Sequence, residues 1–289
     1  MEDPRLAGPK PPFRVPTRRV DLDPKPDHGE RAYVGSNRLE NCAAIVVGGD
    51  SGIGRAVAIA FAREGANVLI GYQADLDGAE ETVRWVTEAG RSAVALPGDL
   101  KSEAYRHVLV EQAIEQFGSL DVLVSDAPWI SSVADGLAVE EAIRTGQESV
   151  FALALLAANS MKAGGAIVAT TLAQSEHSPS LQRAYAAYRG GVASLTASLA
   201  RELSDRGVRV NAVEPGPVWS ARTLATLTNE QVASFGAHTL LGRPAQPAEI
   251  APAYVFLASR DASFITGAVL SVTGGQPEPS PASSPQFAQ

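Results

Sequence analysis

The chain has 289 residues, of which 45% are hydrophobic, 19% charged and 6% aromatic, a composition that builds a sizeable core and excludes a wholly disordered, collagen-like or coiled-coil polymer. With 24 basic against 32 acidic residues the net charge is -8, which argues against a general polyanion-binding surface, so nucleic acid is not an expected partner. A single cysteine, Cys42, forms no intrachain disulfide, and His28, His107, His177 and His238 lie far apart, so no metal is expected.

Residues 1–40 contain seven prolines with eight basic and seven acidic residues and carry no sustained helical or strand period. They read as an irregular arm able to wrap onto the domain or a neighbouring subunit. The first residues, MEDPRLAGPKPPF, lack the cationic start and apolar run of a secretory signal, and the longest strongly apolar stretch, 150–158, is far short of the ~20 residues a membrane span needs. A cytoplasmic location and no membrane partner are the expectations.

Beyond the arm, seven short runs read as strands: AAIVVG (43–48), NVLIGY (67–72), SAVAL (92–96), DVLVS (121–125), GAIVAT (165–170), VRVNAV (208–213) and AVLSV (268–272). Most are apolar on both faces, as parallel strands covered by helices are, and the segments between them are long enough for helical crossovers. One doubly wound α/β (Rossmann) domain is predicted over residues 41–275. The last fourteen residues, 276–289, hold four prolines and three serines and are expected to form a disordered tail.

The first strand runs straight into Gly48-Gly49-Asp50-Ser51-Gly52-Ile53-Gly54 and then RAVAIAFAREG, a helix pattern with a glycine stop. Strand, glycine turn and helix come in the order a dinucleotide site requires. Gly48 permits the tight turn, Gly52 lets backbone approach a pyrophosphate, Gly54 permits close helix–strand packing, and the helix N-terminus offers N–H groups to the anion. The alternative is a glycine turn that only joins a strand to a helix.

This GxxxGxG spacing resembles the short-chain dehydrogenase/reductase family, and the likeness continues along the chain. Gly98-Asp99-Leu100 after the third strand matches the family's Asp-apolar pair, whose carboxylate would accept from the adenine amino group; a helix N-cap is the other role for Asp99. Pro215-Gly216-Pro217-Val218-Trp219-Ser220 matches the Pro-Gly segment that would face the nicotinamide carboxamide. The segments PKPDHGERAYVGS and GRPAQPAEIAPAYVFLAS resemble a bacterial subgroup with a proline-rich arm, often labelled general-stress or glucose-dehydrogenase-like oxidoreductases. The resemblance covers roughly residues 21–275 and implies NAD or NADP as cofactor, a small-molecule substrate and a dimer or tetramer. At the ribose end the second strand closes on Tyr72-Gln73, with Asp75 and Asp77 just beyond, which leaves the choice between NAD and NADP open.

In the family a Tyr-x-x-x-Lys pair shares one helix face, the cation lowers the phenol pKa, a Ser thirteen residues earlier holds the substrate oxygen, and an Asn on the preceding helix supports a water relay. The matching residues here are Tyr185, Arg189 in place of Lys, Leu172 in place of Ser, and Ser149 in place of Asn; Asn-Asn-Ala-Gly after strand four reads Ser125-Asp126-Ala127-Pro128. Arg189 keeps a cation one turn from Tyr185 but is not a positional match for an ammonium. Leu172 offers no donor, so Thr170 or Thr171 by a one-residue shift, or Gln174 or Ser175 from the loop, are the candidate replacements. Gly190-Gly191 inside the same helix point to a close backbone approach, by analogy at a subunit contact. Glu176-His177 reads as a solvated pair, Tyr185 and Tyr188 have a packing role as their alternative, and Phe235, Tyr254 and Phe256 read as lid and core packing. By resemblance, residues 219–245 cap the substrate pocket, and their mostly small and apolar residues point to no charged substrate.

Three functions are compatible with these residues: an NAD(P)-dependent oxidoreductase on a small carbonyl or alcohol with Tyr185 as acid/base; a catalytically silent cofactor-binding or scaffold protein; and a non-redox enzyme such as a dehydratase, cyclase or isomerase.

Overall fold

The computed structural model describes residues 8–13, 22–126, 136–171, 179–225 and 227–275, with backbone alone at 136–145, 179–185 and 222. Seven strands, β1 (Ala43–Val47), β2 (Asn67–Tyr72), β3 (Ala93–Pro97), β4 (Val122–Ser125), β5 (Ala166–Thr170), β6 (Arg209–Pro215) and β7 (Val269–Val272), form one parallel sheet in the order β3-β2-β1-β4-β5-β6-β7. The Rossmann architecture expected from the sequence is therefore present, with strand ends within two residues of the predicted ones. Pro215 closes β6 instead of opening the loop after it.

The helices are α1 (Gly52–Arg63), α2 (Leu76–Glu88), α3 (Glu103–Phe117), α4 (Gly136–Ser160), α5 (Pro179–Glu202), α6 (Ala221–Ala225), α7 (Asn229–Ala233) and α8 (Pro247–Ala258). Short polar residues start several of them: Asp75 accepts from Gly78 N at 2.9 Å, and Thr228 with Gln231 forms a reciprocal capping box. One apolar layer joins α1 and α8 to one face of the sheet and a second joins α3, α4 and α5 to the other, as βαβ crossovers of one hand demand. Strand order reverses between β1 and β4, and the crevice beyond the carboxyl ends of these two strands is where open α/β sheets bind ligands. No helix among the described residues is long and apolar enough to cross a membrane.

The described parts of the arm lie against this core. The Glu64 carboxylate, wholly buried at the end of α1, accepts from Tyr33 Oη (2.7 Å), Ser36 N (2.8 Å), Arg38 N (3.0 Å) and Arg38 Nη2 (2.7 Å). Burial alone would raise this carboxyl, but the Arg38 side chain, then the remaining donors, hold it at about 2, below the usual 4.5. A depressed pKa contributes stability that is complete above pH 4.5 and lost as pH falls through about 2. The contribution is on the order of 3 kcal/mol. Thermal melts of the unmodified protein and Glu64→Gln should thus differ clearly at pH 6 and converge towards pH 2.

Further upstream, Asp27 N donates to Gln246 Oε1 (2.9 Å), Asp27 O accepts from Ala248 N (3.0 Å), and Pro24 O accepts from Trp219 Nε1 (2.8 Å). The Phe13 ring sits 4.2 Å from that of Trp219. Phe13, Leu22, Trp219, Leu224 and Val232 form a separate apolar cluster, with Phe235 packed against it. The arm thus supplies core to the segment 219–235. Tyr254 is buried and Phe256 packs on the edge of the core.

Candidate active site at the carboxyl ends of the strands

The glycine loop turns the chain from β1 into α1 at the switch point. Gly48 and Gly52 have φ of +83° and +55°, values that side chains strain to adopt. A Cβ on Gly54 would lie 2.2 Å from Gly48 O, so helix and loop touch backbone to backbone. A Cβ on Gly52 would meet only Ser220, at 3.7 Å, which places the loop opposite the Pro215–Ser220 segment. Ser51 makes no side-chain cap bond and the first turn of α1 holds no acidic residue, so no side chain of the helix or its N-cap residue neutralises its N-terminus. These features fit a pyrophosphate, with Ser51, Gly52 and Ile53 supplying the edge. One feature opposes it: the Asp126 carboxylate, just past β4, accepts from Gly54 N at 2.9 Å.

Around this loop the other predicted positions fall as follows. Tyr72 is buried at the end of β2. Asp75 caps α2, and Gln73, Asp75 and Asp77 are exposed. Asp99 does not cap α3, whose N-cap is Ser102; its Oδ1 accepts from Lys101 N (2.9 Å) in a local turn. The N-cap reading of Asp99 is corrected accordingly: the carboxylate sits three residues too early for α3. Leu100 puts its side chain into the core and its carbonyl on Arg106, which leaves no side-chain role at a cofactor. Gly216 packs on Thr273, where a Cβ would lie 2.7 Å from Thr273 O, and Val218 is buried beside it. Ser220 starts α6, its Oγ 2.9 Å from Thr223 Oγ1.

On the other side of the switch, α5 carries positions 185 and 189 one turn apart, and Ser149 is buried on α4. The Tyr185 side chain, together with Ala127, Pro128, Leu172, Gln174, Ser175, Glu176 and His177, lies outside the described residues. Arg189 is placed differently from a lone cation: its Nε pairs with Glu214 Oε1 and its Nη2 donates to Glu214 Oε2 at 3.3 Å. The Glu214 side chain is 4% exposed and also accepts from Ser271 Oγ at 2.6 Å. A buried carboxylate must be paired, and Arg189 is what pairs it.

Of the replacements considered for Leu172, Thr170 closes β5 and Thr171 follows it. Thr170 Oγ1 is engaged with Tyr254 Oη at 2.7 Å, on the α8 side of the sheet. Thr171 is wholly buried, and its Oγ1 has no partner among the described residues. Tyr188, the other phenol on this helix, is buried with its Oη donating to Thr170 O at 3.5 Å. Burial, then the charge of Asp126, raises the pKa of both Tyr188 and Tyr254. Neither phenol gives up its proton near neutrality. The close approach expected of Gly190-Gly191 lies within the chain: a Cβ on Gly191 would strike Gln147 of α4, whose Nε2 bonds Tyr188 O at 2.9 Å, whereas Gly190 faces open space.

Sequence reasoning missed Glu214, Ser271 and Gln147. A charged residue inside the buried run VRVNAVEP was the available signal for Glu214, since an acidic side chain is rarely buried without a partner.

A family model described as Enoyl-(Acyl carrier protein) reductase matches residues 47–276. The uncharacterized oxidoreductase YghA of Escherichia coli is 40% identical over 271 residues, covering 91% of this chain and 92% of its own. Glucose and ribitol dehydrogenase homolog 2 of Arabidopsis thaliana is 38% identical over 266 residues, 88% and 92% of the two chains. A short-chain dehydrogenase from Burkholderia cenocepacia, solved in complex with NADP, superposes with a TM-score of 0.73 at 27% identity over 83% of this chain and 99% of its own. Family model, relatives and sheet agree: this chain belongs to the short-chain dehydrogenase/reductase family.

Proposed function

We propose that this protein is an NAD(P)-dependent oxidoreductase that interconverts a small carbonyl compound and its alcohol. The observation that carries this reading is the glycine loop at the switch point, with Gly48 and Gly52 at positive φ and Gly52 facing Ser220 across the crevice. Gly48, Ser51, Gly52, Ile53 and Gly54 would hold the pyrophosphate, Asp99 the adenine, Tyr72 the ribose end, and Pro215, Gly216, Val218 and Ser220 the nicotinamide side. When bound, the nicotinamide supplies or accepts the hydride. Tyr185 gives its proton to the carbonyl oxygen in reduction and takes it back in oxidation, so the substrate gains or loses one hydride and one proton. Arg189 supplies positive charge one turn away. Leu172 holds no oxyanion, which predicts slow chemistry. The Burkholderia complex makes NADP the first cofactor to test, and the name of the Arabidopsis relative makes sugars and polyols the first substrates.

A second reading, a silent cofactor-binding member, draws support from the neutralisation of Arg189 by Glu214. Titration with NADPH and NADH, followed by fluorescence, tests both readings, and binding of neither removes both. Turnover across aldehydes, ketones and polyols separates them. Tyr185→Phe is expected to lower any such turnover by ~10²–10⁴, the usual share of a general acid/base. Turnover that survives removal of all nicotinamide would instead support a non-redox enzyme.

The same reading extends to assembly as a dimer or tetramer. Leu155 of α4 and Leu195 of α5 are exposed, a Cβ on Gly190 would meet nothing within 4 Å, and Phe264 is fully exposed. Light scattering measures the mass directly, and a monomer at micromolar concentration overturns this part.

A further inference from the structure

We infer that Glu214 is a positioning residue for Arg189, and that the two side chains together occupy the place of the family's single lysine. This deepens the proposed function and rests on its cofactor cradle. Glu214 and Ser271 are register partners on β6 and β7, so their side chains emerge side by side on one face of the sheet. Ser271 Oγ donates to Glu214 Oε2, and the buried carboxylate takes Nε and Nη2 of Arg189.

A guanidinium is planar and carries five N–H donors. Two are spent on Glu214, and the rigid fork then fixes the direction of the other three. The Arg189 side chain is 49% exposed although its partner is buried, so the donors not spent on Glu214 are open to a ligand. An ammonium facing the same carboxylate would have no such division of donors, because it is a single point charge. The Lys-to-Arg change and the buried Glu214 are thus one matched feature: the carboxylate anchors the cation, and the unspent donors serve the ribose on the nicotinamide side.

Binding tests this without any substrate. NADPH and NADH are titrated against the unmodified protein, Glu214→Gln, Arg189→Met and the double variant, beside 2′,5′-ADP and ADP, which carry only the adenosine half. Glu214→Gln is expected to weaken the dinucleotide about tenfold, as loss of one hydrogen bond to a charged group does, and to leave the adenosine fragments within about twofold. Arg189→Met should show the same split, and the double variant should lose no more than either single one, because the residues act as one unit. Equal weakening of dinucleotide and fragment, additive losses, or unchanged dinucleotide binding in Glu214→Gln would each overturn the inference. If Arg189→Met, which strands a buried carboxylate, does not fold, the double variant removes both charges and carries the comparison. Should the unmodified protein bind none of the four probes, the cradle reading fails, and this inference fails with it; binding by the unmodified protein with no split in the variants sinks the inference alone.

Discussion

Gly54→Ala is expected to abolish measurable binding of both NADPH and NADH, a loss of at least about 100-fold. The added Cβ would sit 2.2 Å from Gly48 O, 2.6 Å from Gly48 C and 3.0 Å from Gly49 N, distances at which backbone has to move. The atoms that move are those of the glycine loop itself, so the cost falls on the cradle first. Gly54 N is also tied to Asp126, which pins α1 to the end of β4 and prevents the helix from sliding away as a unit. Overpacking of this kind costs about 1–3 kcal/mol in stability, little enough for a folded variant to be purified and titrated. Undiminished dinucleotide binding by that variant would show that the pyrophosphate does not lie on this loop.

The second large effect concerns the arm. Trp219 is wholly buried, lies 4.2 Å from the Phe13 ring and 6.3 Å from that of Phe235, and donates its indole N–H to Pro24 O. Trp219→Ala should cost about 3–5 kcal/mol, the range for truncating a buried large aromatic. For a chain of this size that is a fall in Tm on the order of 10 °C. Hydrogen exchange should also rise in residues 8–13 and 221–235 together, because each supplies the other's apolar cover. Phe13→Ala should produce the same exchange pattern with a smaller fall in Tm, since its ring leaves less volume behind. If exchange rises in one segment and not the other, the arm and the segment 221–235 are not the single packing unit described.

The sheet was legible because parallel strands covered on both faces are written as short β-branched and alanine-rich runs, and a run such as NVLIGY has no other stable place in water. The glycine loop was legible for a similar local reason. Gly48 and Gly52 adopt positive φ and Gly54 touches backbone, and such demands mark a sequence wherever they occur. Helix starts were read less well. Asp99 and Ser102 are both capping residues by type, and only the position of α3 decides that Ser102 is the cap while Asp99 turns back on Lys101.

The catalytic half behaved differently. Spacing alone set Tyr185 and Arg189 one turn apart, and nothing local joined Arg189 to Glu214, twenty-five residues away. Nor could spacing tell that Thr170 bonds Tyr254 across 84 residues, or that Tyr188 is buried against the end of β5. The sequence by itself determined the parallel sheet and the glycine turn, because each follows from backbone sterics and from apolar runs that must leave water. The tertiary structure alone decided the charge partner of Arg189, the engagement of Thr170 by Tyr254, the burial of Thr171, and the packing of the arm on Trp219. These depend on which strands become neighbours, and a side chain's partner across a sheet is set by the register of chains far apart in sequence.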